Sequence, residues 1–166
     1  GDGFIASAFK YANLDKNNLL IYASGVSNSL SSDSDNGFDR EKKLIESYSD
    51  TKKNFIYFST CSIFDRSRKS SPYIRFKLMI EKFIQNNFDN YVIYRLPIIA
   101  GKSHNPHTLL NYIYKSIKES SEIKVELFAS RYIVDIDDVV SIVNLTAPAL
   151  NRQKFNLNFD NKIKIT

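Results

Sequence analysis

The run FSTCSIFDRSRKSSPYIRFK, Phe58 to Lys77, sets the reading of the whole chain. It closes an apolar strand, Asn54 to Phe58, which ends in the hydroxyls Ser59, Thr60 and Ser62. A short polar loop follows. Ser71-Pro72 then opens a helix that carries Tyr73 and Lys77. Residues four apart share one face of a helix, so the phenol and the ammonium are neighbours. A free phenol has a pKa of roughly 10, and a nearby cation favours the phenolate. Tyr73 and Lys77 therefore read as an acid–base pair with a phenol moved toward neutrality. A strand-end hydroxyl beside them can hold the carbonyl or alcohol oxygen whose proton is moved.

Outward from this stretch, helices and strands alternate. Phe4 to Ala12 reads as a helix entered through Gly1-Asp2-Gly3, and Asn18 to Ala23 as a fully apolar strand, as in a buried parallel sheet. Leu30 to Gly37 is a Ser/Asp-rich loop, and Phe38 to Tyr48 has helical spacing and reads as scaffold. Pro72 to Phe88 is a helix with Ile80, Phe83 and Ile84 as its buried stripe, Tyr91 to Leu96 a strand stopped by Pro97, and Ile98 to Thr108 a loop. Leu109 to Ile117 is a helix, Ile123 to Phe128 a strand, Asp137 to Thr146 a helix, and Lys154 to Phe159 a strand of period two. Such alternation argues for an α/β fold with a right-handed parallel sheet.

The central stretch resembles the extended short-chain dehydrogenase/reductase family of sugar-nucleotide epimerases, dehydratases and ketoreductases. Ser59-Thr60-Cys61-Ser62-Ile63-Phe64-Asp65 resembles its strand-end motif, and Ser71-Pro72-Tyr73 through Lys77 to Glu81 its SxYxxxKxxxE helix. Three more segments follow in family order. Gly1-x-Gly3-x-x-Ala6 looks like the phosphate-binding turn, Tyr94-Arg95-Leu96-Pro97 with Gly101-Lys102 like the RLPxxxG segment, and Arg131 to Val140 like the segment near the substrate diphosphate.

The resemblance implies a Rossmann-like sheet flanked by helices, with NAD or NADP as cofactor. It makes Thr60, Tyr73 and Lys77 the catalytic residues. It assigns Gly1, Gly3, Phe4, Ile5, Ala23, Ser24, Gly25, Ser59, Tyr73, Lys77 and Pro97 to the cofactor. It assigns Thr60, Ser62, Ile98, Lys102, Asn105 and Arg131 to a nucleotide-sugar substrate. Lys77 would lower the Tyr73 pKa and hold the nicotinamide ribose, and Arg131 would grip the diphosphate with its planar fork of donors. Arg95 and Asp138 read as structural.

The chain departs from the family in length. Only Asn13 to Asn17 separates the first helix from the strand at Asn18, where members carry a second and a third strand that read the adenosine ribose. The first strand, expected before Gly1, is not in this chain. A shortened member follows. It would be one domain over residues 1–166, with a small substrate-binding part built from about residues 98–136.

Composition narrows the class. At 43% hydrophobic and 25% charged residues the chain fits a globular domain, and no apolar run reaches the ~18 residues of a membrane span. One cysteine excludes an internal disulfide framework and suits a reducing cytoplasm. The net charge of +5 suits an anionic ligand, but it is not clustered with aromatics as nucleic-acid binding requires. No Cys/His set suggests a metal; His104 and His107 share one loop without further partners of that kind.

Among family reactions, Cys61-Ser62 stand where 4,6-dehydratases place Asp-Glu, which argues against a dehydratase. Cys61 lies one residue before the epimerase cysteine position and faces away if the strand continues. The loop from Gly101 to Pro106 resembles that of capsule-biosynthesis 4-keto-sugar reductases, although Ile98 replaces a substrate-contacting Asn. The expectation is an NAD(P)-dependent reductase or C4 epimerase of a nucleotide-activated sugar, serving surface polysaccharide synthesis and pairing as a homodimer. The rivals are a non-catalytic relative with a degenerate cofactor site, and a subunit that uses the Tyr/Lys helix only for packing, with Phe38, Ile45 and Phe83 at the interface.

Overall fold

The computed structural model describes residues 3–12, 14–28, 36–103, 108–123, 130–158 and 162–164. Gly1, His104, Asn105, His107, most of the expected strand Ile123 to Phe128, and the end of the one reaching Phe159 lie outside them.

Four strands form a parallel sheet: β1 (Leu19–Tyr22), β2 (Asn54–Thr60), β3 (Tyr91–Leu96) and β6 (Gln153–Asn156), in the order β1-β2-β3-β6. Register sets Tyr22 beside Tyr57 and Thr60 beside Leu96. Helices α2 (Asn36–Glu46) and α3 (Pro72–Asn87) connect successive strands. Their apolar residues Phe38, Ile45, Ile80 and Ile84 pack with Phe55, Tyr57 and Ile93 on one face of the sheet. Helices α1 (Phe4–Phe9) and α5 (Ile136–Thr146) pack on the other, where Phe9, Val139 and Val143 meet Ile56, Phe58, Val92 and Tyr94. Strand residues alternate between two apolar layers, as a sheet covered on both sides requires.

Local chemistry sets the helix ends. Pro72 occupies the first turn of α3, where its missing N–H leaves no helical bond unmade. Asp135, not Asp137, caps α5: its carboxylate accepts the Asp137 N–H at 2.8 Å. α1 stops at Phe9 instead of reaching Ala12. The chain then turns around Asp15, whose carboxylate accepts from Asn17 N, Asn18 N and Asn18 Nδ2. No strand lies between α1 and β1 among the described residues, as the short spacing predicts. The outer edge of β1 therefore borders a groove of about 600 Å³, lined by Ser7, Lys10, Ile21, Ser24 and Tyr48 among others.

A second, smaller sheet was not evident from periodicity. β4 (Ile98–Ala100) pairs in parallel with β5 (Ser130–Asp135), which pairs antiparallel with β7 (Lys162–Lys164). Ile98 to Ala100 is thus strand where a loop is expected. Three residues are too few to show a period of two, and Pro97, lacking an N–H, separates β4 from β3. Helix α4 (Leu109–Lys118) is capped by the Thr108 hydroxyl, which accepts from Asn111 N.

Candidate active site

Thr60 ends β2, and Tyr73 sits in the first turn of α3 across two short 3₁₀ turns, Cys61–Phe64 and Arg66–Arg68. Thr60 Oγ1 accepts the Ser62 N–H at 3.1 Å. The Thr60 side chain also lies close enough to the Tyr73 phenol to help hold its pKa down. One turn along α3, the Lys77 ammonium lies 5.8 Å from the centre of the Tyr73 ring. The structure thus brings Thr60, Tyr73 and Lys77 together at the carboxyl end of the sheet, all three buried.

The electrostatics differ from the expectation. Burial and the Glu41 carboxylate push the Tyr73 phenol up to about 12, and the nearby Thr60 side chain and Arg68 only partly offset this. Lys77 does not bring it toward neutrality, because its charge is already met. Lys77 Nζ donates to Glu41 Oε1 at 2.9 Å and to the Tyr57 hydroxyl at 3.0 Å. The Tyr57 hydroxyl donates in turn to Glu41 Oε1 at 2.7 Å, and the Val26 N–H donates to Glu41 Oε2 at 2.6 Å. Burial pulls the Lys77 ammonium below its usual range, while Glu41 pulls it back up.

Glu41 is the residue that sequence reasoning missed. It was assigned to scaffold with its helix, yet it is fully buried. Its signal is positional: Phe38, Glu41 and Ile45 fall three and four apart, on one helical face with two buried apolar residues.

Gly25, expected beneath the cofactor, is explained by this pair. A Cβ there would lie 2.9 Å from Glu41 Oε1 and 3.0 Å from Lys77 Nζ. Ala23 and Ser24 lead to it and are half-buried. Gly3 precedes α1 with open space around it and an extended backbone that any residue adopts. Phe4 and Ile5 pack onto the α1/α5 core, and the Phe4 ring also closes on Gly101, whose φ of +143° and tight surroundings demand glycine. Ser59 donates to Glu81 Oε1 at 2.6 Å, so its proton is held inside the protein. Arg95 is structural as expected: Nε and Nη2 grip the two oxygens of buried Glu81 at 2.9 and 2.5 Å. Cys61 does not continue the strand. It opens a 3₁₀ turn, and its thiol donates to the Arg95 carbonyl at 3.1 Å, with burial pushing its pKa up to about 11.

Pro97, expected at the cofactor, is half-buried. Of the residues expected at the substrate, Ser62 is half-buried, and Ile98 pairs in register with Ile133, two residues from Arg131. Arg131 is half-buried and close enough to Asp65 to help hold that carboxyl below its usual range, behind the larger effect of Ser67. Lys102 is exposed. Asp138 is exposed in the first turn of α5. The β1 groove includes none of Thr60, Tyr73 or Lys77. Among the described residues no three His, Cys, Asp or Glu side chains are grouped to hold a metal ion, and no helix is long and apolar enough to cross a membrane.

Comparison with known proteins agrees with this architecture. The model of the NAD dependent epimerase/dehydratase family matches residues 17–157, and the chain belongs to that family. A search of curated proteins gives no match. Similar solved structures include a UDP-N-acetylglucosamine 4-epimerase from Methanobrevibacter ruminantium in complex with UDP-N-acetylmuramic acid, at a TM-score of 0.67 and 14% identity over 99% of this chain. A UDP-glucuronic acid 4-epimerase from Bacillus cereus, in complex with UDP-glucuronic acid and NAD, gives 0.69 and 19% over 89%. The Bordetella bronchiseptica enzyme WbmH in complex with NAD+ gives 0.71 and 14% over 89%. The chain spans 60%, 56% and 54% of these three proteins, respectively. At such identities the likeness establishes the shared Rossmann-like fold.

Proposed function

We propose that this protein is an NAD(P)-dependent oxidoreductase or epimerase acting on a nucleotide-activated sugar, with 4-keto-sugar reduction in surface polysaccharide synthesis as its specific reaction. The observation that carries the reading is the meeting of Thr60, Tyr73 and Lys77 at the carboxyl end of a parallel sheet, where α/β folds place their ligands. The family membership and the complexes of similar structures with NAD and UDP-sugars support it.

The residues fit a dinucleotide in part. Gly25 leaves the backbone close to the Lys77 ammonium, and the space before α1 at Gly3 is open. A nicotinamide would supply or accept hydride. Tyr73, protonated throughout the neutral range, is suited to give its proton to the substrate oxygen as a general acid. Thr60 would hold that oxygen in line. Lys77 would take the ribose hydroxyls with the one N–H that Glu41 and Tyr57 do not use. Arg131, Ser62, Ile98, Lys102 and Asn105 would face the nucleotide sugar, within a part built from about residues 98–136 of one domain.

A homodimer in the cytoplasm belongs to the same proposal, with a changed interface. Phe38 and Ile45 are buried within the chain, Phe38 stacked on Phe76 at 4.2 Å, so they cannot meet a partner. Leu44 and Tyr48 at the α2 end and Leu78 and Met79 on α3 are the exposed apolar residues there. Light scattering that gives a monomer at micromolar concentration would count against this pairing. The reaction is tested with UDP-sugars and their 4-keto derivatives in the presence of NAD⁺ or NADPH. Turnover that falls by ~10²-fold or more in Tyr73→Phe is expected for a lost general acid. Unchanged turnover would remove the role of Tyr73.

A further inference from the structure

Three donors from three separate elements converge on one buried carboxylate. The Val26 N–H comes from the segment after β1, the Tyr57 hydroxyl from β2 and the Lys77 ammonium from α3. Glu41 thereby ties the Gly25 segment to Lys77, and those are the groups expected to lie against a dinucleotide. We infer that Glu41 is a positioning residue for that site: it fixes the Lys77 ammonium behind Gly25 and keeps it charged where water cannot. The inference rests on the proposed function for what Lys77 binds, but not for how Lys77 is held.

The chemistry is one of charge compensation. A buried ammonium without a counter-ion loses its proton, because desolvation penalises the charged form. The groups facing Lys77 are Glu41 from α2, Tyr57 from β2, and Tyr73 and Glu81 from α3. Tyr22 of β1 reaches the Glu41 backbone carbonyl at 3.5 Å. Of the two carboxylates, only Glu41 touches the ammonium; Glu81 is occupied by Arg95 and Ser59. Both tyrosines keep their protons, since burial and Glu41 raise their pKa values. An ammonium has three N–H donors, and two are used here. The third remains for a hydroxyl ligand only while the group stays an ammonium held in this position.

The test is Glu41→Gln, which removes the charge and keeps the shape. Lys77 is followed through its Cε resonance in protein carrying ¹³C-lysine, assigned by its loss in Lys77→Arg. In the unsubstituted protein Lys77 should be charged at pH 7, and in E41Q its titration should move down by at least about one unit. Reduced nicotinamide dinucleotide is titrated in parallel. Its affinity should fall by ~10-fold or more between about pH 6 and about pH 9 in E41Q, against a nearly flat profile in the unsubstituted protein. A merely structural role would lower the affinity equally at both values. The same Lys77 titration in both proteins would overturn the inference, as would a Lys77 already neutral at pH 7 in the unsubstituted protein. That second result decides the matter even if E41Q does not fold. Absence of any dinucleotide binding by the unsubstituted protein would defeat the proposed function instead, and the Lys77 titration would still decide the role of Glu41.

Discussion

On the face covered by α1 and α5, the sheet buries Ile56, Phe58, Val92, Tyr94 and Leu96 against Phe9, Val139 and Val143. On the face covered by α2 and α3, the same strands bury Tyr57, Ser59 and the stem of Arg95, and the helices answer with Glu41, Lys77 and Glu81 at 0–2% exposure. One face is held by dispersion and exclusion of water. The other adds two ion pairs whose desolvation must be offset by their mutual geometry. Buried charge is weak evidence of stability, and here it is concentrated on the face that also carries Tyr73.

Substitutions can break that contrast. Removing either member of the Glu41–Lys77 pair leaves its partner buried and uncompensated, either charged or forced to neutralise, and Lys77→Met or Glu41→Ala should each cost about 3–5 kcal/mol. Replacing both should recover most of that loss, measured by urea denaturation as a double-mutant cycle. On the apolar face, Ile56→Ala should cost about 2–5 kcal/mol with no charge partner to rescue it. Gly25→Ala should cost about 1–3 kcal/mol, because the new methyl group meets the ion pair from the strand side. Most of that cost should disappear in the background lacking both charges. At the small end, Lys52→Ala should change stability by under about 1 kcal/mol, since its 3.5 Å pair with Asp89 is exposed.

The same face governs behaviour in alkali. The Tyr73 phenol is raised to about 12 from an ordinary value near 10, so the folded chain keeps this proton after the unfolded chain has lost it. Its contribution to stability is whole below about pH 10 and is lost as pH rises from about 10 to about 12. Tyr57, raised by burial and by Glu41, acts in the same direction. Lys77, held below its usual range, acts in the opposite direction at lower pH, so the fall in urea midpoints should begin only above about pH 10, where the unfolded tyrosines ionise. In Tyr73→Phe that fall should be shallower.

The apolar face and the Tyr73–Lys77 pair were legible because both are written in local spacing. Leu19 to Tyr22 and Tyr91 to Tyr94 are continuous apolar runs, and Tyr73 and Lys77 stand one helical turn apart after a proline. Glu41 was not legible in the same way. It lies in the charged run Asp39-Arg40-Glu41-Lys42-Lys43, and its partner is 36 residues further on. Periodicity places its face but not its partner. β4 escaped notice because three residues carry no period, and the condition placed on Cys61, that the strand continues, is not met because a 3₁₀ turn begins there. The compensation of Lys77 by Glu41 is a tertiary fact, so the expected pull of Lys77 on Tyr73 fails for a reason no helix wheel displays.

The central claim is that this polar face holds a nicotinamide dinucleotide. Its direct test is titration of the folded protein with NADH and NADPH, followed by nicotinamide fluorescence. The account predicts saturable binding of at least one of them in the micromolar range, about −8 kcal/mol. A folded protein that binds neither reduced form, nor NAD⁺ or NADP⁺, would contradict it and leave a non-catalytic member of the family.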